Sequence, residues 1–350
     1  MIMSPYSANR TALCMLLAAL SLLAAACSPS DEKKGAGRQV VVVYVSEDQV
    51  FSEPVLKAFE KDTGIRVLAV YDTEEAKSTG VMNRLIAERD NPQADVYWAN
   101  EPIRAQVLKE KGVSAPYVSP NAQGIPEIFR DPEGYWTGFS ARARVLIVNS
   151  GESEPPASIF DLIDPRWKGR AVMANPLFGT TTAHVAALFT VLGDEKARRF
   201  MEGLKENQVI VSTSNGESAD MVAEGRASFS LVDSDDAVNR MRQGRPVRMV
   251  YPDQGADQLG CFIVPNAVVL IKGAPHPRQA RRLIDYLLSP QTERALAFAD
   301  CAQIPLHSGV EMPPEMKPLD QLKVMKVDYA AVARKMVEIQ PFLRQWAGLR

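Results

Sequence analysis

Two sequence periodicities alternate at the start of the polar part of the chain, and they fit together in few ways. Val40 to Val45 is an apolar, β-branched run, and Ser52 to Asp62 spaces its apolar residues as a helix does. Thr63-Gly64 stops that helix, and Ile65 to Tyr71 is β-branched again. A strand, a helix and a strand in about 30 residues make a βαβ unit, so the sheet is expected to be largely parallel and the fold mixed α/β. The alternation continues. A helix near Ser78 to Arg89 leads to Ala94-Asp95-Val96-Tyr97-Trp98, and Ala143 to Asn149 is another apolar strand. Helices near Thr181 to Leu192 and Asp194 to Leu204 precede Gln208 to Ser212, and Glu217 to Glu224 precedes Ala227 to Val232. Phe262 to Lys272 reads as a strand pair broken at Pro265-Asn266, and Pro277 to Leu288 as a helix. Near the end, Tyr329, Val332, Met336, Ile339 and Phe342 are three or four apart, the stripe of a helix lying on a core.

Ahead of all this, Arg10 is followed by an unbroken apolar and small-residue run from Thr11 to Ala26, ending at Cys27. That is the pattern of a secretory signal peptide over residues 1–26, and it is shorter than the roughly 20 residues a bilayer-spanning helix needs. A cysteine directly after small residues resembles the lipobox of bacterial lipoproteins, whose cysteine is acylated and becomes the mature N-terminus. Here Ala24 stands where that motif prefers leucine, which sits one place earlier at Leu23. The alternative is ordinary cleavage leaving a free thiol. Residues 27–37 are polar and glycine-containing, as a tether should be. The chain is therefore expected to be exported to the periplasm or cell surface and tied to the membrane only by lipid on Cys27.

The remaining chain is long enough for two domains. A formal charge of −2 over 350 residues offers no basic surplus for nucleic acid. Of four cysteines, Cys14 falls in the leader and Cys27 at its end, leaving Cys261 and Cys301. In an oxidising compartment such a pair suggests a disulfide, and two buried thiols are the alternative. No Gly-x-Ser-x-Gly, His-Glu-x-x-His or Gly-Lys-Ser/Thr loop occurs, which by itself does not exclude an enzyme; the expectation of no catalytic role and no catalytic cofactor rests on the family resemblance that follows.

One string is rich in chemistry. Asp233-Ser234-Asp235-Asp236 follows the strand Phe229 to Val232 and opens the helix Ala237 to Gln243. Carboxylates suit a helix N-terminus, as cap or as complement to its dipole. One aspartate satisfies a cap, however, and three in four residues repel one another unless something cationic neutralises them. Gly179, Thr180, Thr181 and Thr182 sit at the start of another helix. Backbone N–H groups and hydroxyls there form an anion site, or the threonines merely cap the helix. Only His184, His276 and His307 are present and none is in an acidic loop, which disfavours zinc. Tyr97 and Trp98 are read as packing, with stacking on a ligand as the alternative.

The order of elements and several ordered strings resemble the bacterial extracellular solute-binding proteins of ABC importers, in the branch containing the ferric-binding proteins. The strings include Ala58-Phe59-Glu60-Lys61-Asp62-Thr63-Gly64-Ile65, Ala94-Asp95-Val96 and Ser140-Ala141-Arg142-Ala143-Arg144-Val145. Pro165-Arg166-Trp167-Lys168-Gly169-Arg170, Ile271-Lys272-Gly273-Ala274-Pro275-His276-Pro277 and Ala302-Gln303-Ile304-Pro305-Leu306 continue the match. The resemblance implies a two-lobed periplasmic-binding fold of type II, with crossing strands near Ala143 and Phe262 and a ligand cleft between the lobes. The lobes would comprise residues 38–143 with 262–310, and 144–261 with 311–350. Partners would be a membrane permease and its ATPase, with the binding protein a monomer.

The resemblance also implies site residues. Asp235 and Asp236 align with a pair of tyrosines that ferric-binding proteins use for iron, so the metal itself does not carry over. Asp48 falls where those proteins have a histidine, and Glu101, or Asn100 by a one-residue offset, at the place of a ligand glutamate. An anion is bound by relatives near Thr180 to Thr182, with Asn215 and either Arg142 or Arg144. The expected ligand is a hard cation such as iron, held by Asp235, Asp236, Asp48 and Glu101 with a synergistic anion. An organic ligand bearing an amine and a phosphate, phosphonate or carboxylate is the alternative, and an extracytoplasmic hydrolase a remote third.

Overall fold

The structure is a computed structural model that describes residues 39–72 and 79–349; the leader and the whole tether, including the acylation candidate Cys27, lie outside the described residues. The opening βαβ unit is β1 (Val40–Val45), α1 (Gln49–Thr63) and β2 (Arg66–Tyr71), with the two strands parallel and Val40 opposite Arg66. Gly64 ends α1 at φ 71°, and its N–H bonds back to the Glu60 carbonyl. A side chain there would be strained, so glycine is the natural stop. Next come α2 (Thr79–Ala87), β3 (Val96–Ala99), α3 (Pro102–Glu110) and β4 (Ser114–Ala115). The long strand β5 (Thr137–Asn149) follows, then β6 (Ala171–Ala174), α4 (Gly179–Leu192), α5 (Asp194–Glu206) and β7 (Ile210–Ser212). After these run α6 (Asn215–Ala223), β8 (Phe229–Asp233), α7 (Ser234–Arg242) and β9 (Val247–Val250). The last elements are β10 (Ile263–Ile271), α8 (Pro277–Leu287), α9 (Pro290–Phe298), α10 (Tyr329–Glu338) and α11 (Gln340–Trp346).

The strands order as β2-β1-β3-β10-β5-β8-β6-β7, with β4 beside β10 and β9 beside β5. β1 is parallel to β2 and β3, and β6 is parallel to β7 and β8. These two parallel sets are joined through antiparallel partners. β5 pairs with β10 as far as Ala143 and with β8 from Arg144 onward, so one strand passes from the first half of the molecule to the second between adjacent residues. The chain returns just before β10, where Arg144 N–H bonds to the Phe262 carbonyl. This is the two-lobed arrangement with crossing strands. In each half a central parallel strand is buried on both faces, β3 from Val96 to Ala99 in one and β6 from Ala171 to Ala174 in the other.

Three expectations are corrected. Pro265-Asn266 does not divide a strand pair: β10 runs through it, and the register against β5 shifts there instead. Proline lacks the N–H that the ladder would use, and a bulge accommodates it. The C-terminal stripe is two helices rather than one, breaking at Ile339 because Pro341 cannot donate to the preceding turn. Cys261 and Cys301 are both free and buried. Each thiol is turned to a carbonyl of its own surroundings, Cys261 Sγ to Arg144 O at 3.1 Å and Cys301 Sγ to Leu296 O at 3.3 Å. Burial pushes both thiols up, which makes them inert rather than reactive.

α10 packs against both α3 in the first half and α4 in the second. Its first residue, Tyr329, donates to the Ile263 carbonyl at 2.6 Å and lies against Phe129, Trp136 and Phe262.

Candidate acidic cleft

The acidic string lies at the point where β8 hands over to α7. β8 borders the crossing strand in register, with Asp233 opposite Arg144. Such strand ends are where open α/β sheets place ligands. Asp233 occupies the N-cap position of α7, yet its side chain makes no capping bond to that helix. It turns the other way. Its Oδ1 accepts from Arg144 Nη1 at 3.0 Å, and its Oδ2 from Thr180 Oγ1 at 2.6 Å and Asn215 Nδ2 at 3.2 Å. The donors are themselves tied together. Arg144 Nη1 reaches Thr180 Oγ1 at 3.1 Å, Arg144 Nη2 reaches Thr181 Oγ1 at 3.3 Å, and Asn215 Nδ2 reaches Thr180 Oγ1 at 3.0 Å. Arg144 is 0% exposed, so this ion pair is shielded from water and its bonds are of the strong, charge-assisted kind.

Asp235 and Asp236 stand differently. One oxygen from each of Asp233, Asp235 and Asp236 lies within 4.8 Å of the others. Asp235 Oδ1 is buried with no hydrogen-bond partner. Asp236 makes a long contact of 3.9 Å to Arg240, whose stronger bonds go to Asp220 at 3.0 Å and to the Gly216 carbonyl at 3.0 Å. Burial and the Asp233 charge push the Asp235 carboxyl up to about 6. Burial, then Asp235, then Asp233 raise Asp236 well above the ordinary range.

From the first half, Glu101 caps α3: its Oε2 accepts from Ile103 N at 2.9 Å and its Oε1 from Arg104 N at 3.2 Å, with the Arg104 guanidinium 3.5 Å away. Burial raises its carboxyl, and Arg104 opposes the rise. Asp48 is half-buried at the start of α1 and makes no capping bond there. Arg142, on the crossing strand, joins the two halves electrostatically. Its Nη2 donates to the Asn100 carbonyl. Burial works against its charge, but Glu47, Asp233, Asp235 and Asp48 together hold it above the ordinary range. Acids of both halves therefore converge on one guanidinium.

Glu47 is the residue that reasoning from sequence passed over. It is 6% exposed, accepts from Gln303 Nε2 at 3.3 Å, and heads the charges acting on Arg142. Strand parity was the available signal, because counting by twos from Val41, Val43 and Val45 reaches Glu47 rather than Asp48. Of the expected anion-binding residues, Thr180, Thr181, Asn215 and Arg144 come together around Asp233, whereas Arg142 faces the acids. Gly179 opens α4 at φ 59° and is exposed, and Thr182 Oγ1 is buried without a partner. Tyr97 and Trp98 are fully buried and bonded to Ser46 Oγ at 2.9 Å and Asn266 Oδ1 at 3.2 Å, which makes them packing.

The profile of the family described as bacterial extracellular solute-binding protein matches residues 94–332. The chain belongs to this family. Among its relatives, iron uptake protein A1 of Synechocystis is 26% identical over 291 residues, covering 78% of this chain and 79% of the relative. Two solved structures share the fold. One is the Trichodesmium protein IdiA (FutA) in complex with iron and citrate, at TM-score 0.78 and 22% identity over 89% of this chain and 100% of that one. The other is the periplasmic binding protein AfuA of Actinobacillus pleuropneumoniae with fructose-6-phosphate bound, at TM-score 0.74 and 23% identity over 89% and 100%. Family members bind and deliver solutes for transport.

Proposed function

We propose that this chain is the capture component of an ABC importer and takes a small hard cation, iron being the leading candidate, in the cleft between its halves. Asp235 and Asp236 would hold it from the second half, with Asp48 and Glu101 approaching from the first. The observation that carries this reading is the buried, partnerless Oδ1 of Asp235 among three carboxylates whose oxygens lie within 4.8 Å of one another. An unpaired buried carboxylate is costly, and a bound cation removes that cost. Carboxylate oxygens, in a cluster that among the described residues includes no histidine, suit hard ions. The iron-related names among its relatives agree.

A second reading keeps the fold and makes the ligand organic. Arg142 gives the cleft a positive group beside its acids, so an amine would meet Asp235 and Asp236 while a phosphate or carboxylate met the guanidinium. Elemental analysis and native mass of protein purified without refolding, followed by calorimetry with iron, manganese, aminophosphonates and sugar phosphates, separates the two. Heat from metals with none from organic ligands is the expected result, and the reverse outcome removes the cation reading.

In this reading residues 38–143 with 262–310 and residues 144–261 with 311–350 close on the ligand, and the closed monomer docks on a permease driven by an ATPase. The ligand leaves unchanged, with no turnover. Export and lipid attachment at Cys27 belong to the same proposal, and metabolic labelling with a fatty acid should be lost in Cys27→Ala.

A further inference from the structure

We propose that Asp233 is a built-in anion, so that cation capture by this cleft needs no separate small anion. This rests on the cation reading above. Arg144, Thr180 and Asn215 supply a guanidinium, a hydroxyl and an amide, a donor set that suits a small oxyanion, and all three are already spent on the carboxylate of Asp233. The oxyanion shape is met on both sides: Oδ1 faces the arginine, and Oδ2 takes the threonine and the asparagine.

Two features separate this from an ordinary capping aspartate. Asp233 is the N-cap of α7 but leaves the N–H groups of that helix uncapped by its side chain and reaches across to the beginning of α4 instead. Its partner Arg144 is wholly buried and gives its second terminal nitrogen, Nη2, to Thr181 Oγ1 and the Leu231 carbonyl, while its Nε is left without a partner. For an external anion to use these donors, the Asp233 carboxylate would have to be expelled from a shielded ion pair, which leaves a buried negative charge uncompensated. An oxygen of Asp233 nevertheless stays within 4.8 Å of ligand atoms on Asp235 and Asp236. The carboxylate thus reaches the place where a cation would sit and supplies its own negative charge there.

Terbium(III) chloride in a sulfonate buffer serves as a hard-cation probe without a coordinating anion, read by sensitised luminescence. The wild-type protein should bind it with an affinity that changes less than about twofold when millimolar formate or acetate is added. Asp233→Ala opens a carboxylate-sized space lined by the same donors, and formate or acetate should raise its terbium affinity at least about tenfold. A second readout does not involve the cation: acetate should raise the melting temperature of Asp233→Ala and leave that of the wild type unmoved. If the wild type binds terbium at least tenfold more tightly with formate present, the built-in anion is refuted. If no protein binds terbium but acetate still stabilises Asp233→Ala, the inference about Asp233 stands and the cation reading falls. If acetate leaves Asp233→Ala unaffected in both readouts, the pair is merely structural and the inference fails. Should Asp233→Ala not fold, the wild-type arm alone decides.

Discussion

Buried acids occur in both halves of the molecule, and they behave in opposite ways. In the first half, Glu293 is 0% exposed and fully engaged. Its Oε1 accepts from Ser140 N and Leu306 N, both at 2.9 Å, and its Oε2 from His307 N at 3.0 Å and His307 Nδ1 at 2.8 Å. Asp95, equally buried, takes Val42 N at 2.7 Å and His276 N at 2.5 Å. These are framework acids, each tying distant segments together. In the second half, Asp235 and Asp236 are held near one another with an oxygen left unmatched. Burial of a carboxylate therefore does not mark a binding site. Burial without enough donors is the feature on which the proposed cation site rests.

The contrast can be broken in order of expected effect. Glu293→Ala should cost the most, about 3–5 kcal/mol of stability in denaturant unfolding, because it strands buried donors around Ser140 and His307. Metal affinity of the surviving folded protein should change little. Asp235→Asn with Asp236→Asn should do the reverse, lowering cation affinity by about a hundredfold or more in calorimetry while the apo protein unfolds no earlier. A melting temperature lower than wild type in the double variant would make these acids framework after all.

Acidity separates the two sets a third way. The Asp235 carboxyl is raised to about 6, so the folded protein holds a proton there that the unfolded chain gives up at lower pH. Apo stability should rise as pH falls from about 6 toward the ordinary carboxylate range, and cation affinity should drop over the same window, by up to about tenfold per pH unit. His307 is raised by its hydrogen bond to Glu293, so that pair contributes fully below the ordinary histidine range and is lost as pH climbs through the raised value. Melting curves across pH should show both slopes, the lower one absent in Asp235→Asn with Asp236→Asn. The smallest expected effect is that of reductant: with Cys261 and Cys301 apart, it should leave the melting temperature unchanged.

The fold was legible because its signals are local. Periodicity marked the βαβ unit, Thr63-Gly64 the end of α1, and the apolar run after Ala143 the strand that crosses the halves. What was not legible depended on distance between remote positions. Spacing placed Cys261 and Cys301 in one compartment without telling which way each thiol points. The acidic string could be recognised as overcharged, but nothing in it showed that Asp233 would be tied into a hydrogen-bonded ion pair while its two neighbours were not. That distinction arises from Arg144, Thr180 and Asn215, brought together by three separate elements. Glu47 and Asp48 show the same limit at short range, since adjacent side chains at a strand end project to opposite sides.

The helix α10 is seated against α3 on one side and α4 on the other, with Tyr329 bonded to the crossing segment at Ile263. A clamshell with free hinges opens as fast as its contacts in the cleft allow. If the halves open as proposed, they would also slide an interhelical contact and shear the cluster that Tyr329 makes with Phe129, Trp136 and Phe262. In the proposed mechanism, the residence time of a ligand would then depend in part on this seam as well as on contacts in the cleft. Trimming Tyr329 to phenylalanine should shorten that residence time and leave the ligand's contacts as they are.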